Sequence, residues 1–219
     1  MEKISACIFD LDGVVVDTAK YHYIAWKSLA KGLGFNFTKE DNERLKGVSR
    51  MRSLDILMEI GGVDLDDETL LKMAAKKNEE YLEYILKMTP DEILPGVKDL
   101  FENLKENGVK IALGSASKNA MLILKQLKLT SYFDAIVDGT HVSKAKPDPE
   151  VFLKGAELVG FKPENCVVFE DAEAGVEAAI NGGMRCVGIG SPKVLGKANF
   201  VVPGFEGFTF ETLKKGLDK

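Results

Sequence analysis

Two aspartates that follow the first apolar run carry the clearest chemical signal in the sequence. They stand in the segment Asp10-Leu11-Asp12-Gly13. Residues two apart in an extended chain face the same side, and a glycine permits a sharp turn directly afterwards. One interpretation is a polar turn after a strand. The other is a pair of carboxylates that act together on a cation or a substrate. Groups farther along the chain decide between the two.

Three more polar groups follow or precede regular elements later in the sequence. Ser115 ends the second apolar run, Glu170-Asp171 ends the fourth, and Lys146 precedes a helix pattern. Ligands of parallel sheets bind beyond the carboxyl ends of the strands, so these groups are expected to meet there. Converging carboxylates repel one another unless a cation such as Mg²⁺ is present. Because a hydroxyl and an ammonium group suit phosphoryl oxygens, the set predicts Mg²⁺-dependent phosphoryl transfer through a carboxylate nucleophile.

The elements that position these groups alternate between strands and helices. Helix patterns with apolar residues at 3.6 spacing separate short apolar runs. Such alternation predicts crossover units and a parallel sheet covered on both faces. The predicted strands are residues 4–9, 110–114, 135–137, 166–169, 185–189 and 200–202.

One long stretch breaks this alternation. Apolar positions at helical spacing occur in residues 23–33, 53–60, 69–75 and 81–86, with no convincing strand between them. A helical unit is therefore predicted as an insertion after the first strand. We expect an α/β core formed by residues 1–16 and 92–219 and a helical unit formed by residues 17–91.

Composition and charge exclude several classes of function. A net charge of −5 offers no basic excess for nucleic acid, and no charge-free stretch approaches the roughly 20 residues of a membrane span. Asp10 interrupts the first apolar run, so no signal peptide is expected. Cys7, Cys166 and Cys186 lie in apolar runs without metal-ligand spacing, which indicates buried thiols in a reducing compartment. We expect a cytoplasmic protein with no nucleic-acid or membrane partner.

Four motifs together resemble those of the haloacid dehalogenase-like superfamily. They are Phe9-Asp10-Leu11-Asp12-Gly13-Val14, Ser115, Lys146-Pro147 and Glu170-Asp171. The resemblance runs essentially from end to end, and the helical insert resembles that superfamily's small cap domain. It implies a Rossmann-like parallel-sheet core of the α/β class with an inserted α-helical cap domain. Residues 17–19, 45–50 and 115–119 are most similar to the superfamily's sugar phosphomutases.

The resemblance implies roles for the core residues. Asp10 would be the nucleophile that becomes an aspartyl phosphate, and Asp12 the general acid and base. The transferring phosphoryl group would be held by Ser115, Ala116 and Lys146. One Mg²⁺ would be bound by the Asp10 carboxylate, the Asp12 carbonyl and Asp171, with Glu170 beside it.

The resemblance also implies roles for the cap and its hinge. Arg50 would bind the non-reacting phosphate, Thr18 would lie at the hinge, and His22 would orient Asp12. The remaining substrate-binding residues would be Trp26, Lys46, Gly47, Val48, Ser53, Ser117, Lys118 and Asn119. Two alternatives stay open: Lys46 and Arg50 as solvated surface charges, and Trp26, four residues after His22 on one helix face, as packing within the cap.

By this resemblance the activity is a mutase that interconverts β-D-glucose 1-phosphate and glucose 6-phosphate through β-glucose 1,6-bisphosphate. The partners would be these sugar phosphates, and the enzyme would be a monomer. A phosphatase of small sugar phosphates would use the same Asp10 and Mg²⁺ with water as the acceptor. A non-catalytic phosphosugar-binding protein is a third hypothesis, against which the intact Asp10 and Asp12 argue.

Overall fold

The protein is described by a computed structural model over residues 3–218. Its strands are β1 (Ala6–Phe9), β2 (Lys110–Gly114), β3 (Ala135–Val137), β4 (Cys166–Glu170), β5 (Arg185–Ile189) and β6 (Phe200–Val202). Within the described residues they form one sheet in the order β3-β2-β1-β4-β5-β6, with every neighbouring pair parallel. The predicted fold class is confirmed. The first strand begins two residues later than predicted and the fourth extends to Glu170.

Helices cover the sheet and fill the insertion after β1. They are α1 (Ala19–Gly32), α2 (Lys39–Glu43), α3 (Arg50–Gly61), α4 (Asp67–Ile85), α5 (Val97–Glu106), α6 (Ala120–Gln126), α7 (Glu150–Leu158), α8 (Glu173–Asn181) and α9 (Phe210–Leu217). The first four lie between β1 and α5 and bury a separate apolar cluster around Trp26, Phe37, Leu54 and Leu57. We call α1 to α4 with their loops the cap and the rest the core. The division at residues 17–91 stays a prediction.

Helix α4 differs from the sequence prediction. The two predicted segments, residues 69–75 and 81–86, belong to one continuous helix. The buried face of α4 consists of Ala74, Lys77, Tyr81 and Ile85, so a lysine interrupts its apolar period. The intervening Lys, Asn and Glu residues are compatible with helix, and no glycine or proline ends it there. The short helix α2, which the sequence analysis did not predict, begins with a capping box between Thr38 and Asp41.

The sheet is buried on both faces, as expected for parallel strands. Cys7 and Phe9 of β1 belong to one apolar cluster, while Ala6 and Ile8 belong to the other. The Phe9 ring stacks on Phe169 of β4 with centroids 4.5 Å apart. This dense packing fixes β1 against β4 and so fixes the residues that follow both strands.

Two neighbouring chain segments connect the cap to the core. Val16 and Ile93 form an antiparallel bridge. The amide of Asp17 donates to the Glu92 carbonyl at 2.7 Å, and the amide of Leu94 donates to the Val15 carbonyl at 3.1 Å. The outgoing and returning segments are therefore hydrogen-bonded side by side, and we call them the hinge.

Two sequence expectations concern features outside the site. Cys7, Cys166 and Cys186 are free and buried, in agreement with the prediction of core thiols. Across residues 3–218, no helix combines the length and the apolar character that crossing a bilayer requires.

Candidate active site

The register of the central strands brings the predicted reacting groups together. Phe9 of β1 pairs with Phe169 of β4, and the Asp10 amide donates to the Phe169 carbonyl at 3.0 Å. Asp10 therefore lies beside Glu170, the last residue of β4. Strand β2 runs along the other side of β1, and the buried Ser115 follows it directly. The carboxyl ends of three adjacent strands thus present their polar residues at one sheet edge.

Lys146 lies between two of the carboxylates. Its Nζ donates to Asp10 Oδ1 at 2.7 Å and to Glu170 Oε1 at 2.6 Å, and it lies 4.6 Å from the centre of the Phe152 ring. Burial disfavours the charge, but Asp10 and Glu170 outweigh that effect and raise the pKa of Lys146 above its ordinary value. Lys146 is therefore expected to carry its positive charge beside Asp10.

Asp10, Glu170 and Asp171 form a cluster of carboxylates with the geometry of a metal site. Each offers an oxygen, and these oxygens lie within 4.8 Å of one another. Burial and the neighbouring Glu170 charge raise the pKa of Asp171 well above its usual range, and burial also raises the pKa of Glu170. A bound cation would relieve both effects. Because the donors are all carboxylate oxygens, the cluster could hold a hard divalent cation.

Two glycines leave room for this cluster. Gly13 has a φ of 82°, which favours glycine, and a Cβ there would overlap the Asp171 carboxylate. A Cβ on Gly175 of α8 would overlap the Glu170 carboxylate. The backbone approaches the acidic side chains closely at both points, so neither position has room for a larger residue.

Asp12 has a different environment from Asp10. It accepts a short hydrogen bond from the Thr18 hydroxyl, and His22 Nε2 lies 3.8 Å from the same oxygen. Burial and the charge of Asp10 raise the pKa of Asp12 to about 6, while the Thr18 hydrogen bond lowers it in part. A carboxyl group with this pKa is suited to both donating and accepting a proton near neutral pH.

Lys77 is a residue of the site that the sequence analysis missed. Its Nζ lies 2.8 Å from His22 Nδ1 and 4.4 Å from the centre of the Trp26 ring. Burial and the nearby Arg50 lower the pKa of Lys77 to about 7. When Lys77 donates to Nδ1, the neutral imidazole carries its proton on Nε2, toward Asp12. The sequence feature that could have identified Lys77 is the position of a lysine on the apolar face of a helix.

A cavity of about 530 Å³ lies between the cap and the sheet edge. Most predicted site residues line it, and four others are buried nearby. The predicted site residues that line it are Asp10, Asp12, His22, Trp26, Lys46, Gly47, Val48, Arg50, Ser53, Ala116, Ser117, Lys118, Asn119 and Asp171. The buried ones are Thr18, Ser115, Lys146 and Glu170.

The loop before α3 brings the cap into contact with the core. Lys46 Nζ lies 3.6 Å from Asp171 Oδ2 and 3.0 Å from Glu43 Oε2. A Cβ on Gly47 would lie 2.8 Å from the Cβ of Ala172, which is closer than side chains approach one another. Lys46 is therefore an ion-pair partner of Asp171 in the acidic cluster, and its role in substrate binding stays a prediction.

Arg50 lines the cavity and contacts a neutral side chain. Its Nη2 donates to Asn78 Oδ1 at 2.6 Å, and Asn119 Nδ2 donates to the same oxygen at 2.9 Å. The loop that carries Asn119 is held by two short-range bonds, from the Ser117 amide to Ser115 Oγ and from the Asn119 amide to Ser117 Oγ. Cap and core donors thus converge on a single oxygen.

Two predicted substrate-binding residues also serve the packing of the cap. Trp26 is only 2% exposed and belongs to the apolar cluster of the cap. Ser53 is buried and donates to the Leu45 carbonyl at 3.3 Å. Because both also line the cavity, a contact with substrate stays a prediction for each.

The fold and this site define the class of protein. The sequence matches the haloacid dehalogenase-like hydrolase family over residues 4–183, and the chain belongs to that family. It is similar to the β-phosphoglucomutase of Bacillus subtilis, with 42% identity over 212 residues that cover 96% of this chain and 94% of that protein. It is also similar to a phosphorylated carbohydrates phosphatase of Thermotoga maritima, with 34% identity and 83% of each chain covered.

The structural comparison agrees with the sequence comparison. The crystal structure of β-phosphoglucomutase from Clostridium difficile superposes with a TM-score of 0.92 at 42% identity. The match covers 98% of this chain and 97% of that one. Both the core and the cap therefore have counterparts in that structure.

Proposed function

We propose that the protein is a β-phosphoglucomutase that interconverts β-D-glucose 1-phosphate and glucose 6-phosphate with one Mg²⁺ per active site. One observation carries this proposal. A single cavity is lined by the reacting carboxylates Asp10 and Asp12 and also by a second set of phosphate donors, Arg50, Lys118 and Asn119. A mutase must hold two phosphate groups at once, whereas a phosphatase needs to hold one. The similarity to two β-phosphoglucomutases supports the same activity.

In the proposed first half-reaction, a phosphoryl group passes from Asp10 to the sugar. Asp12 accepts the proton of the attacking sugar hydroxyl, the new P–O bond forms, and the bond between phosphorus and Asp10 breaks. The product is β-glucose 1,6-bisphosphate. The pKa of about 6 leaves Asp12 largely ionised at neutral pH, as a base requires. The Thr18 hydroxyl donates to the Asp12 carboxylate, and His22 Nε2 lies 3.8 Å from the same oxygen.

The second half-reaction is the reverse transfer from the other end of the sugar. The bisphosphate turns around, the Asp10 carboxylate attacks the second phosphorus, and Asp12 returns its proton to the departing sugar oxygen. Lys146 and Ser115 would bind the oxygens of the group in transfer, and Arg50 with Lys118 and Asn119 would hold the other phosphate. Mg²⁺ would be held by Asp10, the Asp12 carbonyl and Asp171, with Glu170 beside them, and would supply positive charge that offsets the negative charge on the oxygens of the group in transfer.

Product analysis tests the proposal. The protein is given β-glucose 1-phosphate, a trace of glucose 1,6-bisphosphate and Mg²⁺, and glucose 6-phosphate and free phosphate are followed separately. We expect glucose 6-phosphate to form far faster than free phosphate. Fast phosphate release with little glucose 6-phosphate would replace the mutase with the second candidate, a sugar-phosphate phosphatase. The similarity to the Thermotoga maritima phosphatase favours that candidate.

A further inference from the structure

Asn78 of α4 connects the cap and the core across the cavity. Its Oδ1 accepts hydrogen bonds from Arg50 of the cap at 2.6 Å and from Asn119 of the core at 2.9 Å. The three side chains are partly buried, and all three line the cavity. One amide oxygen therefore satisfies two donors that belong to different parts of the fold.

The hydrogen-bond partner of Arg50 is a neutral side chain. A partly buried guanidinium group would be expected to pair with an anion. Over residues 3–218, no carboxylate oxygen lies within 4.0 Å of its guanidinium group, and Asn78 is its side-chain hydrogen-bond partner. Burial lowers the pKa of Arg50, although the group remains charged. A phosphate oxygen accepts a stronger, charge-assisted hydrogen bond from guanidinium than an amide oxygen does. The present contact is therefore one that a phosphate can displace.

We propose that Asn78 is a positioning residue that occupies the subsite of the non-reacting phosphate until substrate displaces it. Before substrate arrives, its oxygen keeps Arg50 and Asn119 pointed at one position and holds the cap against the core. The identity of the displacing group rests on the proposed function. The neutrality of Asn78 is essential, because a carboxylate there would compete with the phosphate for Arg50.

Binding measurements on the full-length protein with Mg²⁺ test the displacement. Glucose 6-phosphate is titrated calorimetrically into wild type, Asn78→Asp, Asn78→Ala and the control Glu79→Ala, an exposed neighbour on α4. We expect Asn78→Asp to weaken binding by about tenfold or more through the new ion pair with Arg50. Asn78→Ala is expected to stay within about threefold of wild type, because removal of the competitor offsets the loss of the preorganised donors. Equal losses in both variants, or no loss in Asn78→Asp, would overturn the proposal.

Small-angle scattering without ligand tests the contact between cap and core. Asn78→Ala is expected to have a larger radius of gyration than wild type and Glu79→Ala, and saturating glucose 6-phosphate should abolish the difference. A role in local packing alone would not produce an opening that ligand reverses. Identical scattering curves for Asn78→Ala and wild type would contradict the proposed holding role.

The same set of variants separates this proposal from the proposed function. If wild type fails to bind glucose 6-phosphate, or if Arg50→Ala binds it as tightly as wild type, the assignment of the phosphate subsite is wrong. The ligand-free scattering comparison would still decide whether Asn78 holds the cap closed. If Arg50→Ala weakens binding but Asn78→Asp does not, the assignment of the phosphate subsite is supported and the role proposed for Asn78 is wrong.

Discussion

Lys146 Nζ donates to Asp10 Oδ1 at 2.7 Å, and the two side chains are 0% and 6% exposed. Residues 136 positions apart in the sequence thus form a buried ion pair, which Glu170 extends at 2.6 Å. Removing one partner of a buried pair leaves the other charge without compensation. The catalytic role proposed for Lys146 and its contribution to stability would therefore have the same physical origin.

Lys146→Met is expected to reduce both turnover and stability. Asp10 and Glu170 would lose their shared cation, so the free energy of unfolding should fall by about 3–5 kcal/mol, and turnover should fall by a factor of about 100 or more. Urea unfolding and the product assay measure the two effects. Lys162→Met is the matched control, since Lys162 is 80% exposed and makes only a 3.9 Å contact with Glu164. Equal stabilities of the two variants would contradict the role assigned to Lys146.

Asp10→Asn should abolish mutase activity and phosphate release together. An amide cannot replace the carboxylate as nucleophile, so no aspartyl phosphate can form. The product assay, together with mass spectrometry for a phosphorylated protein, measures the effect. Asp17→Asn is the control, because the Asp17 side chain is 46% exposed and pairs with Lys20. Full turnover by Asp10→Asn would remove the covalent mechanism.

Asp171→Asn should stabilise the protein in the absence of metal and should abolish the further stabilisation that Mg²⁺ provides. The substitution removes one carboxylate from a crowded cluster, so the protein without Mg²⁺ should melt at a higher temperature than wild type. Added Mg²⁺ should raise the melting temperature of wild type but not that of the variant. Thermal unfolding in EDTA and in Mg²⁺ measures both effects. A variant that gains as much as wild type from Mg²⁺ would show that the ion binds elsewhere.

Lys77→Met should change how stability depends on pH. The pKa of Lys77 is about 7 in the folded protein and near 10.5 in the unfolded chain. Between these values the unfolded chain binds more protons, so this group makes the folded protein more stable as pH rises. Wild type should therefore gain stability relative to Lys77→Met between pH 7 and about pH 10.

Urea unfolding at several pH values in that interval measures the difference. Lys76→Met is the control, because Lys76 is the exposed neighbour of Lys77 on α4. Parallel pH profiles for wild type and Lys77→Met would contradict the assigned pKa. A second readout is turnover, which should fall in Lys77→Met because His22 loses the partner of its Nδ1.

The core of the site was predictable because strand order determines where its residues meet. Asp10, Ser115 and Glu170 each follow an apolar run, and the parallel sheet brings such positions to one edge. The alternation of strands and helices also indicated the helical insertion. These predictions needed only the period of the apolar residues and the chemistry of the residues after each run.

The contacts made by α4 were not predictable in the same way. Lys77 and Asn78 belong to no motif, and their roles arise because α4 packs beside α1 and α3. A lysine on the buried face of a helix looks like a break in the apolar pattern until its partners, His22 and Trp26, are known. The local periodicity of a sequence does not indicate which tertiary contacts a polar residue makes.

The paired segments of the hinge determine how the cap can move. A single connecting strand would allow the cap to tilt and twist in any direction. Two segments joined at Val16 and Ile93 would resist twisting, which favours rotation about one axis. Lys46 and Arg50 would then travel along a fixed arc and reach the same positions over the sheet edge in each catalytic cycle. We therefore expect the doubled connection, together with the contacts of the cap itself, to determine where these residues arrive.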